Sequence, residues 1–307
     1  MIPVLVIGEL NVDLILSGCS QVPAFGTEVT VDGFAMTLGS ASAICAVGLA
    51  RLGRPVSFVG KVGADSWGEY CVHVLKSAGI DVQGVKRDSG VQTGVTVALT
   101  GASDRALITY PGATEALSAD DLPDTIGAGR CHLHVSSFFL QAGMRRSWRV
   151  VFERARQAGW SLSLDPGCDP ENAWASDLRE LLPFVDVLLP NEVELTAIAG
   201  LQNPEEALRA LHTDRTTVVA KIGAAGSIAL EDGRLLRVAP PPVTAIDSTG
   251  AGDSFNAGFL HAWLDGQPLR SCMRVGVACG ALSTRALGGT TAQPTGDELA
   301  GCLGAVW

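Results

Sequence analysis

Short apolar runs alternate with longer apolar or amphipathic stretches along most of the chain, which predicts strand and helix in turn. Val4–Ile7 is an apolar tetrad stopped by Gly8 and reads as a buried strand. A helix is predicted over 41–52, ending at Gly53, and a strand over 56–59. The helix over 66–78 is closed by Gly79, where glycine supplies a left-handed cap. Strands at 131–135 and Ser161–Leu164 flank a helix at 146–158. An apolar strand at 185–189 runs into Pro190, followed by helices at Glu192–Ala199 and Pro204–Leu211 and a strand at 216–221. Two strongly apolar helices are predicted over 254–264 and 269–284. Alternation of this kind predicts a parallel sheet covered by helices.

Two segments break the rhythm. Residues 14–38 and 91–111 alternate apolar and polar positions with Gly and Pro punctuation, as in EVTVDGFAMTL and TGVTVALTGASDRALITY. They predict antiparallel strands with a turn at 101–104, too far apart in sequence for one simple hairpin. We read them as a small separate sheet, a lid over the main body. The other reading makes them edge strands of the main sheet. No internal repeat or linker divides residues 1–307, so one α/β unit with an inserted lid is expected.

Composition narrows the function. The 307 residues carry 22 Lys+Arg against 32 Asp+Glu, a net charge of −10, with 47% hydrophobic and 18% charged residues. That is too apolar for disorder, and too acidic for a duplex nucleic-acid binder, which needs a basic face. A phosphorylated small ligand stays open, because backbone N–H groups can hold it. The eight cysteines include no C-x-x-C pair and mostly sit in apolar stretches, fitting buried thiols in a reducing cytoplasm. His132 and His134 read as alternate residues of one strand, and the histidines form no metal-ligand set. No basic leader is visible, and no apolar run reaches the ~18 residues of a membrane span, so a cytoplasmic protein is expected.

The segment AIDSTGAGDSFNAGFLHAWLDG, residues 245–266, holds the candidate chemistry. Gly250, Ala251 and Gly252 leave backbone N–H groups unobstructed at a helix start, where the first four donors have no intrahelical partner. Those donors and the helix dipole favour an anion, typically phosphate. Asp253 places a carboxylate among them. It reads either as a helix cap, or as a base taking the proton of an attacking hydroxyl. Neither a Walker A lysine nor a G-x-G-x-x-G turn is present.

The run DSTGAGDSF (247–255) closely resembles the C-terminal signature of the ribokinase-like carbohydrate kinases, the PfkB family. GELNVD (8–13), LGSASAICAVGLARLG (38–53), VGKVGADSWG (59–68), LDP (164–166), PNEVEL (190–195) and KIGAAGS (221–227) match in the family's order. The resemblance covers essentially the whole chain. It implies a three-layer α/β/α sandwich with a mostly parallel central sheet, a β-sheet lid, and transfer of the ATP γ-phosphate to a hydroxymethyl group. By the same resemblance Asp253 is the catalytic base, and Gly250, Ala251 and Gly252 form the anion hole. Asn191 and Glu194 match the N-x-x-E motif that organises Mg²⁺, as hard oxygen ligands suit. Without the resemblance, Asn191 reads equally well as a helix cap. Lys221, Gly223 and Gly226 fall in the nucleotide-phosphate loop, and the stretch from Cys279 to Gly289 in the adenine-pocket region. Some members bind K⁺ or Na⁺ through an aspartate matching Asp247.

Asn11 and Asp13 match the acceptor-binding start, and Gly39 the first glycine of a Gly-Gly substrate motif. Here the sequence departs from the family. The second glycine is Ser40, the usual asparagine of the next helix is Ile44, and Asp-Pro-Asn is Asp165-Pro166-Gly167. An apolar wall at Ile44 cannot pair a sugar hydroxyl, and an unpaired one costs ~1–3 kcal/mol. An acceptor with fewer hydroxyls on that side, or a modified or aromatic one, is expected. The readings carried forward are a sugar kinase, a nucleoside kinase of the same fold, and a non-catalytic ligand-binding relative. The alternating lid strands, with Val29, Val31 and Phe34, predict an apolar face for a homodimer.

Overall fold

Val4 and Val6 are buried on one side of their strand, and Leu5 and Ile7 on the other. A strand apolar on both faces must be covered on both, as a parallel α/β sheet requires. The structure, a computed structural model, describes every residue except 102–104, 125, 127, 175 and 305–307. The first third of the chain forms β1 (Val4–Ile7), β2 (Asn11–Ser17), β3 (Gly33–Leu38), α1 (Ala41–Arg51), β4 (Val56–Gly63), α2 (Ser66–Ser77) and β5 (Asp81–Asp88). Next come β6 (Gly94–Thr100), β7 (Arg105–Tyr110), β8 (His132–Val135), α3 (Trp148–Gln157), β9 (Ser161–Leu164), α4 (Ser176–Leu181), β10 (Val187–Leu188), α5 (Glu192–Ala199) and α6 (Pro204–Leu211). The last third adds β11 (Thr217–Lys221), β12 (Ser227–Glu231), β13 (Arg234–Val238), α7 (Ala251–Leu264), α8 (Leu269–Ser283) and α9 (Gly296–Leu303).

Nine strands form one sheet in the order β13-β12-β11-β10-β9-β8-β1-β4-β5. Pairing is parallel from β11 to β5 and antiparallel at β12 and β13. One core packs α1, α2, α7, α8 and α9 on one face of the sheet, and a second packs α3 to α6 on the other. These are the three layers the pattern predicted. The lid is a separate four-stranded sheet, β3-β2-β6-β7, and not the edge of the main one. Its outer pairs are antiparallel as expected, but the central pair β2–β6 runs parallel because the two segments are not joined by a hairpin.

Several boundaries move. The lid's inner strand β2 starts at Asn11 rather than 14, leaving β1 almost directly. The turn expected at 101–104 falls largely on residues outside those described. The strand expected over 185–189 pairs only at Val187–Leu188. β5 escaped prediction because its sequence, DVQGVKRD, lies at the sheet edge with little apolar alternation. β12 and β13 form a hairpin across Asp232 and Gly233, both at positive φ (50° and 73°). Asp-Gly is a strong hairpin signal, so that one was available in the sequence.

The parallel strands end together at one edge of the sheet. Glu9 and Asn11 follow β1, Ser136 and Ser137 follow β8, Asp165 follows β9, Asn191 follows β10, and Lys221 closes β11. This C-terminal edge is where open α/β sheets bind ligands.

Candidate active site

Helix α7 starts at Ala251, three residues earlier than its apolar run suggests, with Gly250 as its N-cap. Gly250 takes φ 70°, and a Cβ there would lie 2.6 Å from Gly289 Cα, so only glycine fits. Asp253 therefore sits inside the first turn and is not the cap. No side chain caps the helix, although Ala251 N–H reaches the Ser248 carbonyl at 3.2 Å.

This N-terminus is the common wall of two cavities. One, about 180 Å³, is lined by Asp253, Gly250, Asn11, Asp13, Ser40 and Ile44 beneath the lid residues Thr96, Arg105, Leu107 and Thr109. The other, about 510 Å³, is lined by Ala251, Gly252, Lys221, Gly223, Gly226 and Pro240–Val243, with Val277, Gly280, Ala281 and Thr284 from α8 and its end. The larger falls within the ~300–1,000 Å³ usual for ligand sites, and the smaller holds about six waters' worth of volume. A small ligand on one side and a larger one on the other would meet at the helix N-terminus.

The cavity walls sort the predicted residues. Asn11 Nδ2 reaches Asp13 Oδ1 at 3.2 Å and Thr96 Oγ1 at 3.3 Å. A Cβ on Gly39 would lie 2.1 Å from Asp13 Oδ1, so glycine there makes room for the acid. Ser40 caps α1, accepting from Ala43 N–H and donating to the Glu9 carbonyl. Ile44 lines the small cavity, and its methyl also fills the space left by Gly289 and Gly250. Ile44 thus has a packing role beneath the α7 N-terminus.

Cys279, expected at the nucleotide pocket, lies in the core instead and does not line the large cavity. Its sulfur packs on Gly258 of α7 inside the core, while Val277, Gly280, Ala281 and Thr284 face the large cavity. Helical periodicity turns residue 279 to the opposite side from its neighbours.

Asn191 and Glu194 close a capping box on α5. Asn191 Oδ1 accepts from Glu194 N–H at 2.9 Å, Glu194 Oε2 accepts from Asn191 N–H at 2.9 Å, and Asn191 Nδ2 donates to Oε1 at 2.6 Å. Capping is therefore present whatever else this pair does. Asp247 accepts from Thr249 N–H (2.9 Å), Thr249 Oγ1 (2.7 Å) and Gly288 N–H (2.8 Å), which ties two loops together behind Gly250.

Sequence reasoning missed four contributors. Arg105 of the lid donates to Thr249 Oγ1 at 2.9 Å. Glu9 lines the small cavity, its carboxylate accepting from Ser42 N–H at 3.2 Å and from the Ser42 hydroxyl. Asp165 accepts from the Lys221 ammonium at 2.7 Å and from Asn256 Nδ2. Asn256 had a signal, since it is a polar residue between apolar neighbours in α7, three positions beyond Asp253. The others become neighbours only through tertiary folding.

Crowding of carboxylates dominates the electrostatics. Burial, then the charge of Asp165, push Asp253 up to about 7, against the pull of Lys221. The same two causes push Glu194 to about 7. Burial raises Asp13 to about 6, opposed by its Asn11 hydrogen bond and by Arg105. Burial works against the Lys221 charge, but Asp165 first and then Glu194 hold it protonated above the ordinary lysine range. A divalent cation suits this surplus of negative charge. Glu194 and Asn191 carry hard oxygens, all engaged in the capping box, and no group of three or more His, Cys, Asp or Glu is arranged as a ready-made metal cage among the described residues.

Comparison with known proteins agrees with this geometry. The chain matches the pfkB family carbohydrate kinase over residues 1–296. It is 33% identical over 279 residues to a fructokinase of Klebsiella pneumoniae, covering 85% of this chain and 90% of that one. It is 29% identical over 305 residues to an ATP-dependent ribose-1-phosphate kinase of Halopiger xanaduensis, covering 99% and 98%. The structure of a Vibrio cholerae fructokinase with fructose, ADP and calcium bound superposes with a TM-score of 0.84 at 28% identity, covering 99% of each chain. A whole-length family match and a relative above 30% identity converge on one assignment: the chain belongs to the pfkB family of carbohydrate kinases.

Proposed function

We propose that this protein transfers the γ-phosphate of ATP to a hydroxymethyl group of a sugar or sugar-like acceptor. One observation carries the reading: the α7 N-terminus separates two cavities, with Asp253 facing the small one and Ala251 and Gly252 the large one. The acceptor occupies the small cavity and ATP the large one, so the γ-phosphate lies against the helix N-terminus. Asp253 accepts the acceptor hydroxyl proton as that oxygen bonds to phosphorus and the bond to the ADP oxygen breaks. First-turn N–H groups and the helix dipole stabilise the charge on the phosphoryl oxygens. Mg²⁺, when bound, would neutralise phosphate charge, and Glu194 and Asn191, beside the cavity-lining Lys221, are the residues that would hold it or its waters. Asp247 would serve a K⁺ or Na⁺ ion, as one carboxylate already fixed between two loops.

The small cavity has mixed walls. Asn11, Asp13, Glu9 and Thr96 present polar groups, whereas Ile44, Leu107, Leu140 and Pro111 present apolar surface. That mixture favours an acceptor that carries both hydroxyls and apolar surface. The lid closes over it and excludes water, so that transfer outruns hydrolysis. Val29 and Val31 precede β3 and lie outside the lid sheet. The sheet's outward face carries Phe34 (66% exposed), Met36 (39%) and Ile108 (60%), and this apolar surface supports a homodimer through the lid.

The test is coupled ADP release with ATP and Mg²⁺ over a panel of sugars, sugar acids, sugar phosphates and nucleosides. Stimulation by a sugar-class acceptor supports the reading, and stimulation by nucleosides alone replaces it with a nucleoside kinase. ATP binding with no acceptor-dependent turnover would sink it.

A further inference from the structure

Lys221 is tethered. Its ammonium donates to Asp165 Oδ2 at 2.7 Å and to Asn256 Oδ1 at 3.3 Å, and Asn256 Nδ2 bonds to the same Asp165 oxygen. The three side chains close a ring between the end of β9, the end of β11 and the second turn of α7. The lysine side chain is 13% exposed and Asp165 only 5%, so the pair lies under the site and not at its rim. A lysine meant to reach out and gather a nucleotide would keep its arm free. This one is held against the α7 N-terminus, its Nζ 3.6 Å from where a Gly252 Cβ would be. An ammonium carries three protons, and among the described residues two are engaged. The residue also lines the large cavity, so the third proton has a ligand to meet there.

We infer that Lys221 is a catalytic cation for the phosphoryl in flight, and that Asp165 and Asn256 are positioning residues that aim it at the junction of the two cavities. The inference rests on the kinase reading above. As the acceptor oxygen bonds to phosphorus and the bridging bond to ADP breaks, negative charge spreads over the phosphoryl oxygens at the α7 N-terminus. The ammonium meets that charge beside the first-turn N–H groups, keeping all its own protons, while the acceptor proton goes to Asp253. A cation fixed beforehand needs no rearrangement when the charge develops. Its contribution therefore falls on the transition state and not on ATP docking, which separates it from a nucleotide-binding role.

The test compares wild type with Lys221→Gln, Asp165→Asn and the double variant Asp165→Asn/Lys221→Gln, by steady-state kinetics and thermal melting. Lys221→Gln leaves the Asp165 carboxylate without its cation and strains the fold. The double variant removes both charges and keeps the shape. The expected result is a kcat loss of at least about 10²-fold in both Lys221→Gln and the double variant, with KM for ATP within about threefold of wild type. Asp165→Asn is expected to lose less kcat, also with KM for ATP nearly unchanged. A rise in KM for ATP with kcat retained would make Lys221 a docking residue and overturn the inference. So would a double variant that recovers wild-type kcat, or one that melts as far below wild type as the single, because either assigns the pair to the fold. Wild type without acceptor-dependent turnover would overturn the kinase reading itself, and this inference with it.

Discussion

Arg105 on the lid strand β7 donates to Thr249 Oγ1 at 2.9 Å, one residue before the glycine that caps α7. Thr249 in turn donates to Asp247. The bond ties the lid over the small cavity to the loop that leads into the α7 N-terminus.

Removing the guanidinium should loosen that tie. For Arg105→Ala we expect the acceptor KM to rise about tenfold or more, the scale of losing one charge-assisted hydrogen bond, with KM for ATP little changed. Steady-state kinetics with each substrate varied checks it. An unchanged acceptor KM would show that the lid closes without this contact.

Asp253 should set the acid limb of the rate profile. With its proton affinity raised to about 7 by burial and by Asp165, the carboxylate we propose as the base is mostly ionised only above that pH. The rate should therefore fall tenfold per pH unit below about 7, and Asp253→Asn should lose at least ~10²-fold.

The same residue should weaken the fold. A carboxyl whose folded value lies above its unfolded 3.8 costs stability as pH rises between the two, and the cost is complete above about 7. Asp253→Asn should melt higher than wild type, by more at pH 8 than at pH 5. Differential scanning at the two pH values reads this directly, and equal shifts would contradict it.

A buried ladder should destabilise the protein in acid. His132 and His134 are fully buried on β8, with Ser163 Oγ 2.7 Å from a ring nitrogen of each and Ser136 Oγ 2.8 Å from His134 Nε2. Burial lowers His134 from 6.5 to about 4, and burial followed by His134 lowers His132 well below the usual histidine range. Both are neutral when folded, whereas the unfolded chain takes up protons from pH 6.5 downward. The stability this provides is complete above that pH and is lost as pH falls towards 4. Between pH 6.5 and 4.5, His134 alone should cost about 2–3 kcal/mol. Urea titrations of wild type and His134→Gln should differ by that much in their pH dependence.

The lid surface should set the oligomeric state. Light scattering should give twice 31.8 kDa for wild type. Phe34→Asp/Ile108→Asp, which charges both exposed positions, should give the monomer. A monomeric wild type at micromolar concentration would remove the proposed dimer.

The sequence by itself determined the layered architecture, because strands such as Val4–Ile7 are apolar on both faces and can exist only between two layers of helices. It also located the lid, through its period-two alternation, and the 250–253 turn, whose chemistry is local: small residues, free N–H donors and one acid. The tertiary structure alone decided where those pieces meet. Glu9, Arg105, Asp165 and Asn256 are separated by 60 residues or more from one neighbour to the next, and no local pattern couples them. They converge because parallel strands deliver their C-terminal ends to one edge and the lid folds back over it. Cys279 shows the same limit in reverse, because α8 does line the large cavity while the helix rotation that buries the Cys279 sulfur is set by packing against Gly258. Side-chain direction depends on long-range contact, and that is what a single sequence leaves open.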